Sequence, residues 1–598
     1  MKKMIRRSEQ EQENTWNLES IYTNRDSLQA DIENVQAKTQ ELESYKGKIL
    51  ASSENLVSVL DISFGTERII EKLFTYTFRR YDEDLTNDDA NRMKGEITNL
   101  YTNYLEKTSF ITPELLQQDE QIIEKYLKEN KELEKYKLWL KRIFDKKRYV
   151  LSEQEERVIS AFSNALNTPE NIAGILRNAE IKFYTIQDEN GKEVEINNET
   201  YQTYIMSKDR RVRHDAFEAL YHAYQDHKQS LAEALQGNVS KIVVENKLRG
   251  YSNSKEASLI KNRVNPIVYD KLIQEVHKHI DVLYDYFKLK KEVLKLDDFC
   301  LYDAGVNLAQ DTNHEYTYEE AKKIVFDVIS VFGKEYQEVV KEAFQDRWID
   351  IYPNKGKRGG AYSAGSYDTK PFILLNFQGK YHDVSTLAHE LGHSMHTYYS
   401  NHNNSYIYSS YKIFVAEVAS TVNEMLLNYY MLEHSKDKNE KKFILSEMMD
   451  LFKATIFKQT MFSEFEEFMY DSVEEGKALT SDILSEKYYQ LNEFYFGKDI
   501  VVNDEIRYEW ARVPHFYYNF YVYQYATGLI AACYIVNRIL SHEESAVTDY
   551  LNFLKKGDSM DPIEELKVAG IDMTSEEVFT KAMEMFRDLI ASYRKLDQ

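Results

Sequence analysis

The sequence predicts a mainly α-helical, folded protein. Its low glycine and proline content favours helices, and its balance of hydrophobic and charged residues favours a folded chain. Of 598 residues, only 20 are glycine and 7 are proline, both well below average usage. Few residues that break regular structure favour long helices over the many tight turns of a β-sandwich or propeller. Hydrophobic residues make up 43% and charged residues 29%, a globular mixture that argues against disorder.

The first third of the chain predicts helices followed by one hairpin. Residues 25–150 have the pattern of successive amphipathic helices, clearest at 88–106, where apolar residues recur every three or four positions. Ser152 and Glu155 have the spacing of a capping box at a helix start. Alternating residues at 181–196 flank an Asn-Gly pair, which predicts a β-hairpin.

A second non-helical zone lies at 346–380, after helices predicted from about 199 to 250 and again beyond Pro266. It holds five of the 20 glycines, and residues 372–375 have the pattern of a strand. Because functional sites often lie on loops held by a rigid scaffold, we interpret this β-insert as part of a site. The alternative is an ordinary connecting hairpin.

Charge and cysteine content exclude several classes of function. The formal net charge is −23, which disfavours nucleic acid as a partner. Two cysteines, Cys300 and Cys533, are too few for a disulfide scaffold or a cysteine-rich zinc module. The basic N-terminus lacks an apolar signal region, and no stretch approaches 18 apolar residues. We expect a cytoplasmic protein without a membrane partner.

A His-Glu-x-x-His motif comprises His389, Glu390 and His393. On a helix, residues four apart share one face, so both imidazoles can reach one zinc ion. Glu390 lies on the flank of that face and can take a proton from a metal-bound water. Asp383 or Ser385 can cap this helix. The alternative is a pair of histidines that face solvent or pack without metal.

A catalytic zinc needs a third protein ligand, and the metzincin extension of the motif does not supply it. His396 stands where that extension has glycine, and Tyr399 where it has histidine. His396 lies two turns from His389, too far along the helix axis for both to share one ion with His393. We interpret His396 as a substrate-binding residue or as a structural histidine.

Glu417 is the better candidate for the third ligand. It stands alone in an apolar helical pattern at 411–426, and a buried carboxylate is costly unless it is paired or binds metal. Glu424 lies two turns further on the same face. It is either an acceptor for a ligand histidine or a surface carboxylate.

An aromatic stretch follows at residues 515–525. Tyr521 and Tyr525 are four residues apart and can present two hydroxyls together, which suits stabilisation of an oxyanion. A core-packing helix is the usual meaning of such a stripe, and composition alone favours it.

These segments resemble the thimet-oligopeptidase-like zinc peptidases, most closely the bacterial oligoendopeptidase F group. The resemblance rests on residues 389–396, on Phe414 to Ser420 and on His515 to Gly528, with support from Trp16 to Tyr22 and from Arg210 to Tyr221. It spans nearly the whole chain.

The resemblance implies a two-lobed helical enzyme with a deep substrate channel and one zinc ion. It implies His389, His393 and Glu417 as ligands, and Glu390 as general base. It further implies that His515, with Tyr521 or Tyr525 or both, stabilises the tetrahedral intermediate, a role that Tyr518 can also fill. The implied substrate-binding edge comprises Gly360, Ala361 and the strand around Leu374.

We therefore expect a zinc endopeptidase that cuts internal bonds of short oligopeptides. We divide the chain into an N-terminal helical domain, 1–200, and a catalytic domain, 201–598. One alternative is a helical zinc carboxypeptidase with the same ligands, in which Arg507 or Arg512 captures a free carboxylate. Another is a non-catalytic peptide-binding protein with a structural zinc, although such a protein would not need Glu390 as a base.

Overall fold

The structure is a computed structural model that describes residues 4–309 and 314–597, and it is mainly helical as predicted. In the N-terminal part, the elements are α1 Arg25–Glu43, α2 Ser53–Glu83, α3 Asp88–Thr108, α4 Ile111–Gln117, α5 Glu120–Glu129, α6 Lys137–Asp145, α7 Glu153–Leu166, α8 Thr168–Ile175, β1 Thr185–Gln187 and β2 Glu193–Glu195. The antiparallel pair β1–β2 confirms the predicted hairpin, and Ser152 caps α7 with Glu155 as predicted.

The middle of the chain continues with helices and then the β-insert. Its elements are α9 Tyr201–Ile205, α10 Arg210–Gln225, α11 Lys228–Leu248, α12 Ser254–Lys261, α13 Ile267–Lys278, α14 Asp281–Leu294, α15 Tyr318–Val328, α16 Lys334–Gln345, β3 Ile349–Asp350, β4 Tyr362–Ala364 and β5 Phe372–Leu374. The strand predicted at 372–375 is therefore confirmed.

The C-terminal part is again helical. Its helices are α17 Tyr381–Asn403, α18 Ile413–His434, α19 Lys438–Phe452, α20 Lys458–Glu474, α21 Ser481–Phe496, α22 Tyr523–Leu540, α23 Ala546–Leu554, α24 Pro562–Val568 and α25 Glu576–Asp597. No helix among the described residues is both long and apolar enough to cross a bilayer.

The chain forms two compact units, and neither is continuous in sequence. The first comprises Met1–Arg148, Asn313–Leu427 and His542–Gly570, and the second comprises Tyr149–Thr312, Asn428–Ser541 and Ile571–Gln598. The boundary that we predicted at residue 200 lies inside the second unit. The two lobes and the substrate channel stay predictions.

Helices α1 to α6 pack around one apolar core in the first unit. Leu56, Val59 and Leu60 of α2 are at most 1% exposed within it, and they have the three- and four-residue spacing of one helix face. Ser52 and Asn87 accept backbone N–H groups at the starts of α2 and α3. These caps satisfy donors that a helix start otherwise leaves unpaired.

The β-insert is a three-stranded sheet in the order β3-β5-β4. Ile373 of β5 is aligned with Ile349 on its parallel side and with Ser363 on its antiparallel side. All of β5 is buried, and the Trp16 indole N–H donates to the Ile373 carbonyl at 2.7 Å. We therefore correct one prediction: the strand around Leu374 is the centre of this sheet, and β4 is its edge.

Helix α17 follows the sheet after a short connection, and its start differs from the prediction. Lys380 is the N-cap residue, so neither Asp383 nor Ser385 occupies that position. Asp383 lies in the first turn, where its carboxylate accepts the backbone N–H groups of Lys380 at 2.8 Å and Gln378 at 3.1 Å. An acidic group here also suits the positive end of the helix dipole.

Candidate active site

Helices α17 and α18 cross in close contact at Gly392. A Cβ atom on Gly392 would lie 2.6 Å from both the Ala419 carbonyl oxygen and the Ser420 Cα, closer than real Cβ atoms approach backbone. The Asn423 side chain adds a hydrogen bond across the crossing, donating to the Ala388 carbonyl at 3.1 Å. The absence of a side chain at Gly392 is what allows the two helices to bring their polar groups together.

His389, His393 and Glu417 meet at this crossing. One ligand atom from each lies within 4.8 Å of the others, a group that could hold a metal ion. Glu417 Oε2 is 3.5 Å from His389 Nε2 and 3.4 Å from His393 Nε2. Zinc bonds of roughly 2.0–2.2 Å in a tetrahedron separate ligand atoms by about 3.3–3.6 Å. Both the donor set and the spacing therefore fit zinc.

Glu424 orients the first of these histidines. His389 Nδ1 lies 3.2 Å from Glu424 Oε2, so Nε2 is left to face Glu417. Burial acts to lower the pKa of His389, but the hydrogen bond and charge of Glu424, with the charges of Glu390 and Glu417, outweigh it and raise the pKa above its usual value. A carboxylate behind a ligand histidine fixes its ring and increases its basicity. The structure thus supports the first of our two interpretations of Glu424.

Glu417 is held in its charged form. Burial acts to raise the pKa of Glu417, but the hydrogen bond and charge of His393, with the charge of His389, lower it to about 2. The Ser420 hydroxyl also donates to Glu417 Oε2 at 3.1 Å. An ionised carboxylate opposite two imidazoles is the form that binds a cation.

Glu390 has a different environment on the same helix. Glu390 is only 6% exposed. Burial raises the pKa of its carboxyl group, and the charges of His389 and His393 offset part of this rise. Among the described residues, no group hydrogen-bonds Glu390 Oε2. A carboxylate with a raised pKa and a free oxygen is suited to accept a proton.

The edge strand β4 lies against α17, the helix that carries His389 and His393. The Ser363 hydroxyl hydrogen-bonds that of Ser394 on α17 at 2.8 Å, and a Ser363 backbone hydrogen bond lowers the pKa of Glu390. Gly360 precedes this strand with φ of +81°, a left-handed conformation that favours glycine. Gly360 is exposed and Ala361 half-buried, so both predicted substrate residues are near a surface.

His396 does not fit the predicted substrate contact. Its ring is fully buried, stacked on Tyr411 with centroids 3.7 Å apart and packed near Phe553. Burial lowers the pKa of His396 to about 3, so the imidazole is neutral. We therefore withdraw the substrate contact and keep the second interpretation, a structural histidine.

His515 and three tyrosines form a separate aromatic cluster in the second unit. Tyr521 stacks on His515 with centroids 6.3 Å apart, and Tyr525 meets the His515 edge at 6.0 Å. The Tyr521 and Tyr525 rings are themselves 5.5 Å apart, although α22 begins only at Tyr523, so Tyr521 lies outside the helix. Tyr518 is 49% exposed beside them. Burial lowers the pKa of His515.

Comparisons with known proteins match nearly the whole chain. A family model described as "Peptidase family M3" matches residues 203–585, and one described as "Oligopeptidase F" matches residues 114–183. The chain is 39% identical to "Oligopeptidase PepF" of Bacillus subtilis over 99% of this chain and 88% of that protein. It is 36% identical to "Oligoendopeptidase F homolog" of Lactococcus lactis subsp. lactis over 97% of each.

Two solved structures share the fold of this chain over nearly its full length. A crystal structure from Chlamydophila abortus has a TM-score of 0.94 and 35% sequence identity, and covers 99% of this chain and 100% of that one. The structure of oligoendopeptidase-F from Enterococcus faecium has a TM-score of 0.73 and 31% identity, and covers 96% and 99%.

Replacing Gly392 tests the helix crossing. Gly392→Ala should lower the free energy of unfolding by about 1–3 kcal/mol, because overpacking forces the backbones apart, and it should weaken zinc binding. Gly95→Ala is the matched control, at an exposed position of α3 where a Cβ meets nothing within 4 Å; it should raise the free energy of unfolding by about 0.5–1 kcal/mol. Urea unfolding and zinc titration measure both. A Gly392→Ala protein with wild-type stability and zinc affinity would contradict this packing.

Two carboxylate variants separate a ligand from its supporting group. Glu417→Ala should remain folded but lose stoichiometric zinc, whereas Glu424→Leu should keep the site and bind zinc about 10- to 100-fold more weakly. Elemental analysis and a chelator competition measure the two effects. Full zinc content in folded Glu417→Ala would remove Glu417 from the ligand set.

Proposed function

Because this chain belongs to peptidase family M3, we propose that it is a zinc-dependent endopeptidase that hydrolyses internal bonds of short oligopeptides. The observation that carries the proposal is the meeting of His389, His393 and Glu417 beside a buried Glu390. A structural zinc site has no need of such a base, whereas hydrolysis does.

The three protein ligands leave a coordination position open for hydrolysis. Three protein ligands leave a fourth position of tetrahedral zinc for water or substrate. A zinc ion held by His389, His393 and Glu417 would lower the pKa of a bound water to about 7 and would polarise the scissile carbonyl. Glu390, whose carboxyl pKa is raised by burial, accepts a proton from the attacking water. It returns that proton to the leaving amine nitrogen, so the base ends the cycle regenerated.

Charge that develops on the carbonyl oxygen needs hydrogen-bond donors. We assign that role to His515 and to the hydroxyls of Tyr521 and Tyr525, with Tyr518 as a further substrate contact. The family match over residues 203–585 supports the assignment, and the four rings lie in one cluster. Preorganised donors of this kind act mainly in the transition state.

A short extended peptide suits β4, a half-buried strand at one edge of the sheet. In strand addition, backbone N–H and C=O groups of the substrate pair with those of an edge strand. The hydrogen bond between the Ser363 and Ser394 hydroxyls holds β4 against α17. Gly360 and Ala361 lead into this edge. Folded proteins have such backbone groups already paired, so we expect them to be spared.

We place the enzyme in the cytoplasm. Its two cysteines, Cys300 and Cys533, are both buried and form no disulfide, as suits a reducing compartment.

Glu390→Gln tests the base. The amide keeps the shape of the carboxyl but cannot take the proton, so zinc should stay bound while kcat falls by roughly 10²-fold or more. Zinc content and turnover of one fluorogenic peptide give the two readings. Wild-type turnover in a zinc-loaded Glu390→Gln protein would require another base.

Blocked peptides test the type of cleavage. A peptide acetylated at its N-terminus and amidated at its C-terminus should be cut internally, because an endopeptidase does not need a free terminus. A length series that shares one cleavable bond, run beside casein, should show cleavage falling as length increases. Mass spectrometry identifies the products. Cleavage only of peptides with a free C-terminus would indicate a carboxypeptidase, no cleavage at all a binding protein, and equal rates on casein an open cleft.

A further inference from the structure

The segment that carries the proposed oxyanion donors contains a strained turn. Asn519 and Phe520 have φ of 39° and 52°, so two consecutive residues other than glycine adopt the left-handed region. For a bulky residue such as phenylalanine this conformation is a genuine outlier, and it persists only where surrounding structure holds it. The turn lies directly between Tyr518 and Tyr521, inside the aromatic cluster.

A buried carboxyl group accepts a hydrogen bond from the backbone of this turn. Glu466 of α20 is 0% exposed, and its Oε1 accepts the backbone N–H of Phe520. In the described part of the chain, its Oε2 has no hydrogen-bond partner. Burying a carboxyl group for a single backbone hydrogen bond costs free energy that an apolar residue would not, so the position calls for an explanation.

Other contacts show that the turn is fixed at several points. The Ser258 hydroxyl donates to the Asn519 carbonyl at 3.0 Å. The Phe520 ring packs against Tyr470 and Tyr269, with centroids 4.8 and 5.5 Å away. Of these contacts, the one from Glu466 satisfies the amide that the left-handed conformation turns inward.

We propose that Glu466 is a positioning residue, which accepts the Phe520 N–H and so fixes the turn that sets Tyr521 against His515 and Tyr525. Without this acceptor, the Phe520 N–H would be buried unpaired and the turn would relax toward an unstrained conformation. Tyr521 would then lose its packing against His515 and Tyr525, on which its donor role depends. This inference rests on the proposed donor role of Tyr521.

The ionisation of Glu466 determines the best variants. Burial raises the pKa of Glu466 to about 8, and the Phe520 hydrogen bond offsets this only in part. The neutral acid therefore predominates at pH 7, and glutamine reproduces both its shape and its acceptor oxygen. Leucine removes the acceptor, and aspartate retracts it by one methylene group.

The test compares kcat and KM of these variants on one blocked peptide. Glu466→Gln should stay within about threefold of wild type, whereas Glu466→Leu should lose roughly tenfold or more in kcat with little change in KM, since the lost contact forms in the transition state. Glu466→Asp should fall between them, and it decides the question if the leucine variant does not fold. Glutamine and leucine variants with equal kcat, or an aspartate variant equal to wild type where leucine fails to fold, would overturn the proposal.

Glu464→Leu is the matched control on the same helix. Its carboxylate pairs with His277 and Tyr495 rather than with the turn, so kcat should stay within about threefold of wild type. A tenfold loss there would show that any carboxylate of α20 affects kcat through stability alone, and would overturn the proposal.

A double variant shows whether Glu466 acts through the tyrosine. In a Tyr521→Phe background, Glu466→Leu should cost less than about twofold further, because residues that act through one another are not additive. Full additivity would overturn the inference. Tyr521→Phe alone separates the two failures. Unchanged kcat there rejects the donor role and the inference with it, whereas reduced kcat there beside wild-type kcat in Glu466→Leu rejects the inference only.

Discussion

The close crossing of α17 and α18 at Gly392 is the constraint on which the metal group depends. Two ligands come from α17 and one from α18, so no single helix carries the site. The backbones approach until a Cβ would be 2.6 Å from Ala419 and Ser420, and carboxylate and imidazoles then meet at 3.4 and 3.5 Å. A wider crossing would place Glu417 beyond the reach of an ion held by both histidines.

Three carboxylates surround the two histidines, and their environments separate their roles. The histidine partners keep the pKa of Glu417 low, whereas burial raises the pKa of Glu390. Glu424 hydrogen-bonds His389 from behind. Neighbouring groups of one chemical type can thus supply a ligand, a base and a support, because their surroundings push the carboxyl pKa values apart.

Local patterns in the sequence predicted what depends on local structure. The helical class, the hairpin at 181–196 and the strand at 372–375 follow from periodicity and turn residues, and isolation of Glu417 in an apolar helix pointed to its partners. Long-range packing could not be predicted from the sequence, because it depends on contacts between distant segments. Examples are the central place of β5 in the sheet, the burial of His396 and the discontinuous units. Glu466 was missed because it stands among the glutamates at 464 and 467, and such a cluster indicates a solvated helix face rather than a buried carboxyl group.

X-ray absorption at the zinc K edge of the zinc-loaded protein tests the central claim, that His389, His393 and Glu417 together bind the ion, most directly. The account predicts scattering from two imidazoles with nitrogen at about 2.0–2.1 Å, carboxylate oxygen at about 2.0–2.2 Å, and a remaining light-atom position for water. A sulfur shell near about 2.3 Å, or a shell without imidazole scattering, would contradict it.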